Sequence, residues 1–160
     1  MTFDELEAQL SWGLHDARLE ALSVDWMGAE VVMRVRVMIS ERQDSDRLLS
    51  VTVTGLAFCA IEPPQEEDPS RGYQLIPAGG LWIDSGAGDG GAEVASRLPS
   101  IPPGAFLRWF FVRDWNRFIH ICARDVIFAW LEPAARMNGE GPRALFAGDV
   151  IAEPGKPKDT

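Results

Sequence analysis

Hydrophobic side chains recur at every second position along much of this chain. Val31, Met33, Val35, Val37 and Ile39 point one way while Arg34 and Arg36 point the other, the period of a strand with one face on a core. Upstream, Leu22, Val24 and Trp26 alternate with Ser23 and Asp25, which turns one face of that run to the core as well. The connection through Met27, Gly28 and Ala29 is too short for a parallel crossover, so the two runs predict an antiparallel hairpin. Leu49, Val51 and Val53 carry the same period into residues 48–61, where Gly55 marks a bulge or bend. Residues 106–131 hold three of the six tryptophans and five of the eight phenylalanines. They divide into strand-length runs at 106–113, 117–123 and 126–131, separated by Asp114-Trp115-Asn116 and Arg124-Asp125.

The remaining segments are shorter. Thr2 followed by Glu5 has the form of a capping box, and Phe3, Leu6 and Leu10 share a helical face, so a helix is expected over 2–10, stopped by Gly13. Short strands are expected at 73–76 and 81–84, about two helical turns at 92–98, and an edge strand at 144–151. Residues 41–47 read as a polar turn, and the prolines and carboxylates of 62–69 as an exposed loop. The predicted fold class is mainly β, with α+β as the alternative: an antiparallel β-sandwich or open barrel with a short N-terminal helix. One domain spans 1–152, and 153–160 form a frayed tail.

Composition narrows the function more than the fold. A net charge of −9 and a pI near 4.7 argue against a nucleic-acid backbone as the main partner and favour a basic protein partner. The acidic start has no basic region leading into an apolar run, and no apolar segment approaches the ~20 residues that cross a bilayer. With only Cys59 and Cys122, far apart, a reduced cytoplasmic setting without membrane association is the expectation.

Gly86-Ala87-Gly88-Asp89-Gly90-Gly91 fits G-x-G-x-x-G after a strand, yet a dinucleotide site needs a parallel βαβ unit and a longer helix; a flexible loop is the expectation. Asp84, Asp89 and Glu93 lack EF-hand spacing for calcium. His15, Cys59, His120 and Cys122 offer zinc-ligating atoms without a close ligand pair, and Phe118 shares the face of His120, which favours a packed histidine and an inert cysteine. His15-Asp16 reads as a turn in which Asp16 caps backbone donors, since neither G-x-S-x-G nor H-E-x-x-H accompanies it. No metal, cofactor or catalytic set is therefore expected.

A contact surface is the better candidate: Trp82, Trp109, Arg113, Trp115 and His120, with Arg108 nearby. Arg113 shares a strand face with Leu107, Trp109 and Phe111, so it must reach a carboxylate or an aromatic ring. The alternative for both arginines is to snorkel at the rim of a core sheet. Trp115, in a turn, is expected to be exposed.

The short helix, then Leu14-His15-Asp16-Ala17-Arg18-Leu19, then Val24-Asp25-Trp26 and the alternating strand resemble small β-rich bacterial proteins of uncharacterised function, some grouped with immunity proteins of polymorphic toxin systems. The resemblance covers about the first quarter of the chain, and residues 125–130 resemble the closing part of such domains. The proline-rich acidic loop and the glycine loop depart from it, and it carries no functional residue across. The aromatic core, the acidity and the lack of a catalytic set lead to the expectation of a non-enzymatic interaction protein, immunity-like as the resemblance implies, that binds a basic partner through an acidic surface. The alternative is a small-ligand-binding protein or unusual enzyme with a pocket lined by Trp82, Trp109, Phe111 and His120.

Overall fold

The structure, a computed structural model, describes residues 1–39, 46–63, 76, 78–88 and 96–132. The capping box forms as the sequence predicts: Glu5 N–H donates to Thr2 Oγ1 (3.2 Å) and Thr2 N–H to Glu5 Oε2 (2.7 Å). It opens a helix, α1 (Phe3–Glu7), followed by turns that keep Leu10 and Leu14 buried. Eight strands follow: β1 (Ala17–Asp25), β2 (Glu30–Met38), β3 (Asp46–Thr54), β4 (Phe58–Ile61), β5 (Leu81–Ala87), β6 (Phe106–Val112), β7 (Arg117–Ala123) and β8 (Asp125–Trp130). They form one antiparallel sheet in the order β4-β7-β6-β5-β1-β2-β3-β8, open rather than closed into a barrel.

The curvature of that sheet comes from one corner. Only residues 55–57 separate β3 from β4, and only Arg124 separates β7 from β8. Because β3 pairs with β8 and β4 with β7, the four strands make one two-stranded ribbon bent at Gly55 and Arg124. Ala57 N–H to Cys122 O (2.8 Å) and Arg124 N–H to Thr54 O (3.2 Å) carry the pairing round the bend. Gly55 has φ +66°, and a β-carbon there would lie 3.1 Å from Arg124 Cβ, so both conformation and space call for glycine. The two ends of the sheet order are thus neighbours through the ribbon. Phe3 shows the result. Its ring meets Phe106 and Phe110 on β6 and Phe128 on β8 at 5.2–6.0 Å, although those strands stand five places apart, about 24 Å in a flat sheet.

The inner face is filled by Leu19, Met33, Val35, Leu49, Val51, Ile83, Phe110, Ile119 and Ile121, with α1 laid across it. Val31, Met33, Val35 and Val37 of β2 lie in the core as expected, whereas Ile39, past the end of the strand, is half-buried. The strand expected at 81–84 runs on to Ala87 because Gly86 lies beneath the Trp109 indole. Three expectations change. Trp26 lies past the end of β1, where Asp25 Oδ1 takes the N–H groups of Met27 (2.9 Å) and Gly28 (3.0 Å), and the indole is 64 % exposed. Trp115, expected at the surface, is only 6 % exposed: a 3-10 turn at Arg113–Trp115, closed by Asn116 in the left-handed region (φ +51°), brings the indole into the core. Arg108 does not snorkel at a rim but is buried beneath α1, because its parity on β6 is that of the core residues Phe106 and Phe110. The expectations at 41–45, 73–75, 92–95 and 144–151 lie outside the described residues.

A β-carbon at position 86 would fall 2.2 Å from Trp109 Cζ2. We expect Gly86→Ala to cost about 1–3 kcal/mol by overpacking, read as a lower urea midpoint; an unchanged midpoint would show that the indole moves aside freely.

Candidate functional site

The β1–β5 ladder brings the start of β1 against β5, with Ala17 opposite Ile83. Asp16 (φ +57°) donates its N–H to Asp84 Oδ1 (3.3 Å), so its own backbone donor is capped by another residue's carboxylate, where the sequence suggested that Asp16 would do the capping. Around Asp84 an ionic knot forms. Arg113 grips it with two hydrogen bonds, Nε to Oδ2 (2.9 Å) and Nη2 to Oδ1 (2.7 Å). The same Nη2 meets Asp16 Oδ1 (2.5 Å), and His15 Nδ1 meets Asp84 Oδ1 (2.5 Å). The Arg113 hydrogen bond, chiefly, holds the Asp84 carboxyl below its ordinary range.

His15, Asp16 and Asp84 bring ligand atoms within 4.8 Å of one another, the group among the described residues able to hold a metal ion. A divalent cation there would have to displace Arg113 from both carboxylates. Nor is the pair a nucleophile-activating dyad: the second imidazole nitrogen faces Asp16 Oδ2 at 3.8 Å, a carboxylate and not a hydroxyl or thiol. The knot is best explained as a clasp joining β1, β5 and the turn after β6.

The five residues singled out from sequence do not form one surface. Trp82 is 43 % exposed on the outer face, its ring 5.6 Å from the Arg18 guanidinium. Trp109 lies edge-on to Phe118 (5.7 Å) and donates Nε1–H to Ala87 O (3.2 Å). His120 packs beside Phe118 (5.6 Å) and is 1 % exposed. Arg113 belongs to the knot, and Trp115 to the core. His120 reaches a cleft, but none of Trp82, Trp109 and Phe111 lines it. The four proposed zinc ligands also diverge. Cys59 sits opposite the core residue Ile121, His120 and Cys122 face outward, and His15 is in the knot. Asp89 and Glu93 lie outside the described residues. The G-x-G-x-x-G run begins on β5, which is flanked by antiparallel β1 and β6, so no parallel βαβ unit surrounds it.

Register exposes a feature that sequence reading missed. Asp25 pairs with Glu30, Glu30 with Thr54, and Thr54 with Asp125. One row across β1, β2, β3 and β8 therefore carries three carboxylates on the outer face, opposite in parity to the core residues Val31 and Val53. The next row outward is Ser23, Val32, Thr52 and Ile127. At the tip of the β1–β2 hairpin, Trp26 and Met27 project at 64 % and 97 % exposure, and Ile127 is 55 % exposed. Among the described residues, Asp25, Glu30 and Asp125 have no ion pair, whereas Arg18, Arg36, Arg108 and Arg113 each meet a carboxylate of the chain. Comparison with protein-family models, with curated proteins and with solved structures returns no match for this chain.

Asp84 has a depressed folded-state pKa, so its contribution is fully present above the unfolded value of about 3.9 and disappears as pH falls through the lower folded value. Asp84→Asn should cost about 1–3 kcal/mol at neutral pH, with the gap to the parent narrowing below about pH 4; a gap constant to pH 2 would contradict the pairing. Burial pushes the Cys59 thiol up to about 11 and the buried Cys122 thiol upward too. Neither should be alkylated by iodoacetamide at pH 7.5 in the folded protein, while both should react in denaturant.

Proposed function

We propose that this protein is a non-enzymatic interaction protein, immunity-like in mode, that binds a basic protein partner through the acidic end of its outer sheet face. The observation that carries this reading is the cross-strand pair Asp25–Glu30. Like charges placed directly opposite destabilise a sheet, and this pair stands beside the most exposed large apolar side chains of the described residues, Trp26 and Met27. A lysine- or arginine-rich surface would neutralise the row and cover the two apolar side chains. That combination of a tryptophan anchor with charge matching favours both affinity and rapid encounter. Asp125 extends the row two strands further, about 10 Å from Glu30, wide enough to engage more than one cation.

The test is calorimetric titration with the purified products of the adjoining genes. We expect one to bind, at least tenfold more weakly when salt rises from about 50 to 500 mM, because screening shortens the reach of exposed charges. Glu30→Gln should stabilise the free protein by a few tenths of a kcal/mol while weakening the complex, and Trp26→Ala should weaken it by about 2 kcal/mol or more. Binding indifferent to salt and to both substitutions, or no binding at all, would overturn the reading.

A further inference from the structure

The carboxylate row is one end of a longer pattern on the same face. Two rows further along the strands, Ala21, Arg34, Ser50 and Ala129 stand side by side across β1, β2, β3 and β8. Arg34 is exposed, and no outward side chain of this row, or of the row between that holds Val32 and Ile127, is buried. Among the described residues Arg34 meets no carboxylate, whereas Arg36, two residues on, bridges Glu20 and Glu132, and Arg18 reaches Asp46. Glu30 lies four residues back along β2, about 13 Å away. That exceeds the ~8 Å over which exposed charges act at physiological salt. The cross-strand neighbours of Arg34 are small, so the face around it is flat. Along the strands it therefore reads negative, then apolar, then positive.

A partner laid on this face from the hairpin tip covers Arg34 as well. Apolar surface there would strand a desolvated guanidinium, and a cation would meet like charge; both oppose binding. A carboxylate offers the planar fork two acceptors. A second copy of the chain matches poorly, because it would set six carboxylates, three from each copy, against two arginines. We propose that the basic partner carries a carboxylate about 13 Å from its basic group and that Arg34 selects for it. This rests on the reading of the acidic row as a docking site and adds a requirement of opposite sign. Arg34 admits that partner and disfavours surfaces that are basic throughout.

Two probes separate these roles: deca-lysine, cationic throughout, and the adjoining-gene product that binds the parent in calorimetry. Arg34→Gln should weaken the gene product at least about tenfold, and Arg34→Glu about a hundredfold. Deca-lysine, at about 20 mM salt, should bind both variants at least as tightly as it binds the parent. Ala129→Trp raises a bulky ring on the flat face and should block the gene product while sparing deca-lysine. Thermal midpoints should not move, since both positions are exposed; if Ala129→Trp unfolds the protein, the Arg34 variants carry the test. Undiminished binding of the gene product to Arg34→Gln, alongside weakened binding to Glu30→Gln and Trp26→Ala, overturns this inference and leaves the acidic-row reading standing. Weaker binding of deca-lysine to Arg34→Gln overturns it too. So does a dimer of the free protein, seen in sedimentation and split by Ala129→Trp, which would make a second copy the occupant. If no gene product binds, or none responds to Glu30→Gln and Trp26→Ala, the reading of the row fails and this inference fails with it.

Discussion

A guanidinium buried beneath five helical residues holds this fold together. Arg108 projects from β6 to the inner face, with its side chain 3 % exposed, and meets Asp4 Oδ1 (3.0 Å), Glu7 and Ser85 Oγ (3.0 Å). The Phe3 ring covers it, 4.9 Å from centroid to guanidinium carbon. A helix of this length has no stability of its own in water, so the cap, Phe3 and Arg108 must fix it on the sheet. The geometry carries a desolvation cost, since Arg108 Nε is buried without a hydrogen bond. A hydrophobic residue of equal volume at 108 would not pin Asp4 and Glu7, and the helix would keep only its apolar face to locate it. The ionic contact therefore gives position more than raw stability.

With the helix fixed, the inner face is closed and everything variable moves to the outer face. The corner at Gly55 and Arg124 divides that face in two. On the β5-β6-β7 side, Trp109, Phe111, Phe118 and His120 pack ring against ring, and the knot of Arg113 with Asp84 borders them. On the β1-β2-β3-β8 side the side chains are smaller and the carboxylate row sits at the corner end, beside the hairpin tip that Leu56 N–H to Ala29 O (2.9 Å) ties to it. Towards the other end of these strands, Arg36 bridges Glu20 (2.6 Å) and Glu132 (3.2 Å), and Arg47 lies over Trp130 (4.3 Å). Internal pairing consumes the arginines there, which leaves the corner end acidic.

Most of this framework was legible in the sequence because it is local. Alternation located β2 and the three strands between 106 and 131, the capping box located α1, and Gly55 located the bend. What escaped depends on which strand lies beside which. Asp25, Glu30 and Asp125 become a row only once β3 is seen to pair with β8, a pairing with no short-range signal. His15, Asp84 and Arg113 meet for the same reason, through β5 standing between β1 and β6. Trp115 was misplaced because a turn position says little about direction, and here a single 3-10 turn points inward. Arg108 did have a signal: it alternates with Phe106 and Phe110, and Asp4 and Glu7, three apart on the helix, offer two carboxylates to one partner.

The bent ribbon also separates the carboxylate row from the basic start of β7. The corner end of β7 lies about 20 Å from its start, six steps at strand rise, so the hairpin tip and Arg117 stand at opposite ends of one ribbon. Two features of opposite sign at that separation are screened from one another at physiological salt, where the Debye length is about 8 Å. Charge gathered at Asp25, Glu30 and Asp125 therefore acts independently of Arg117 at the other end of the ribbon. Any coupling between the two would have to pass mechanically, along β7 and through the bend at Arg124. There Gly55 lies against the Arg124 side chain, and the close contact holds the ribbon to one angle. The arrangement favours a stiff scaffold over a switch between its two ends.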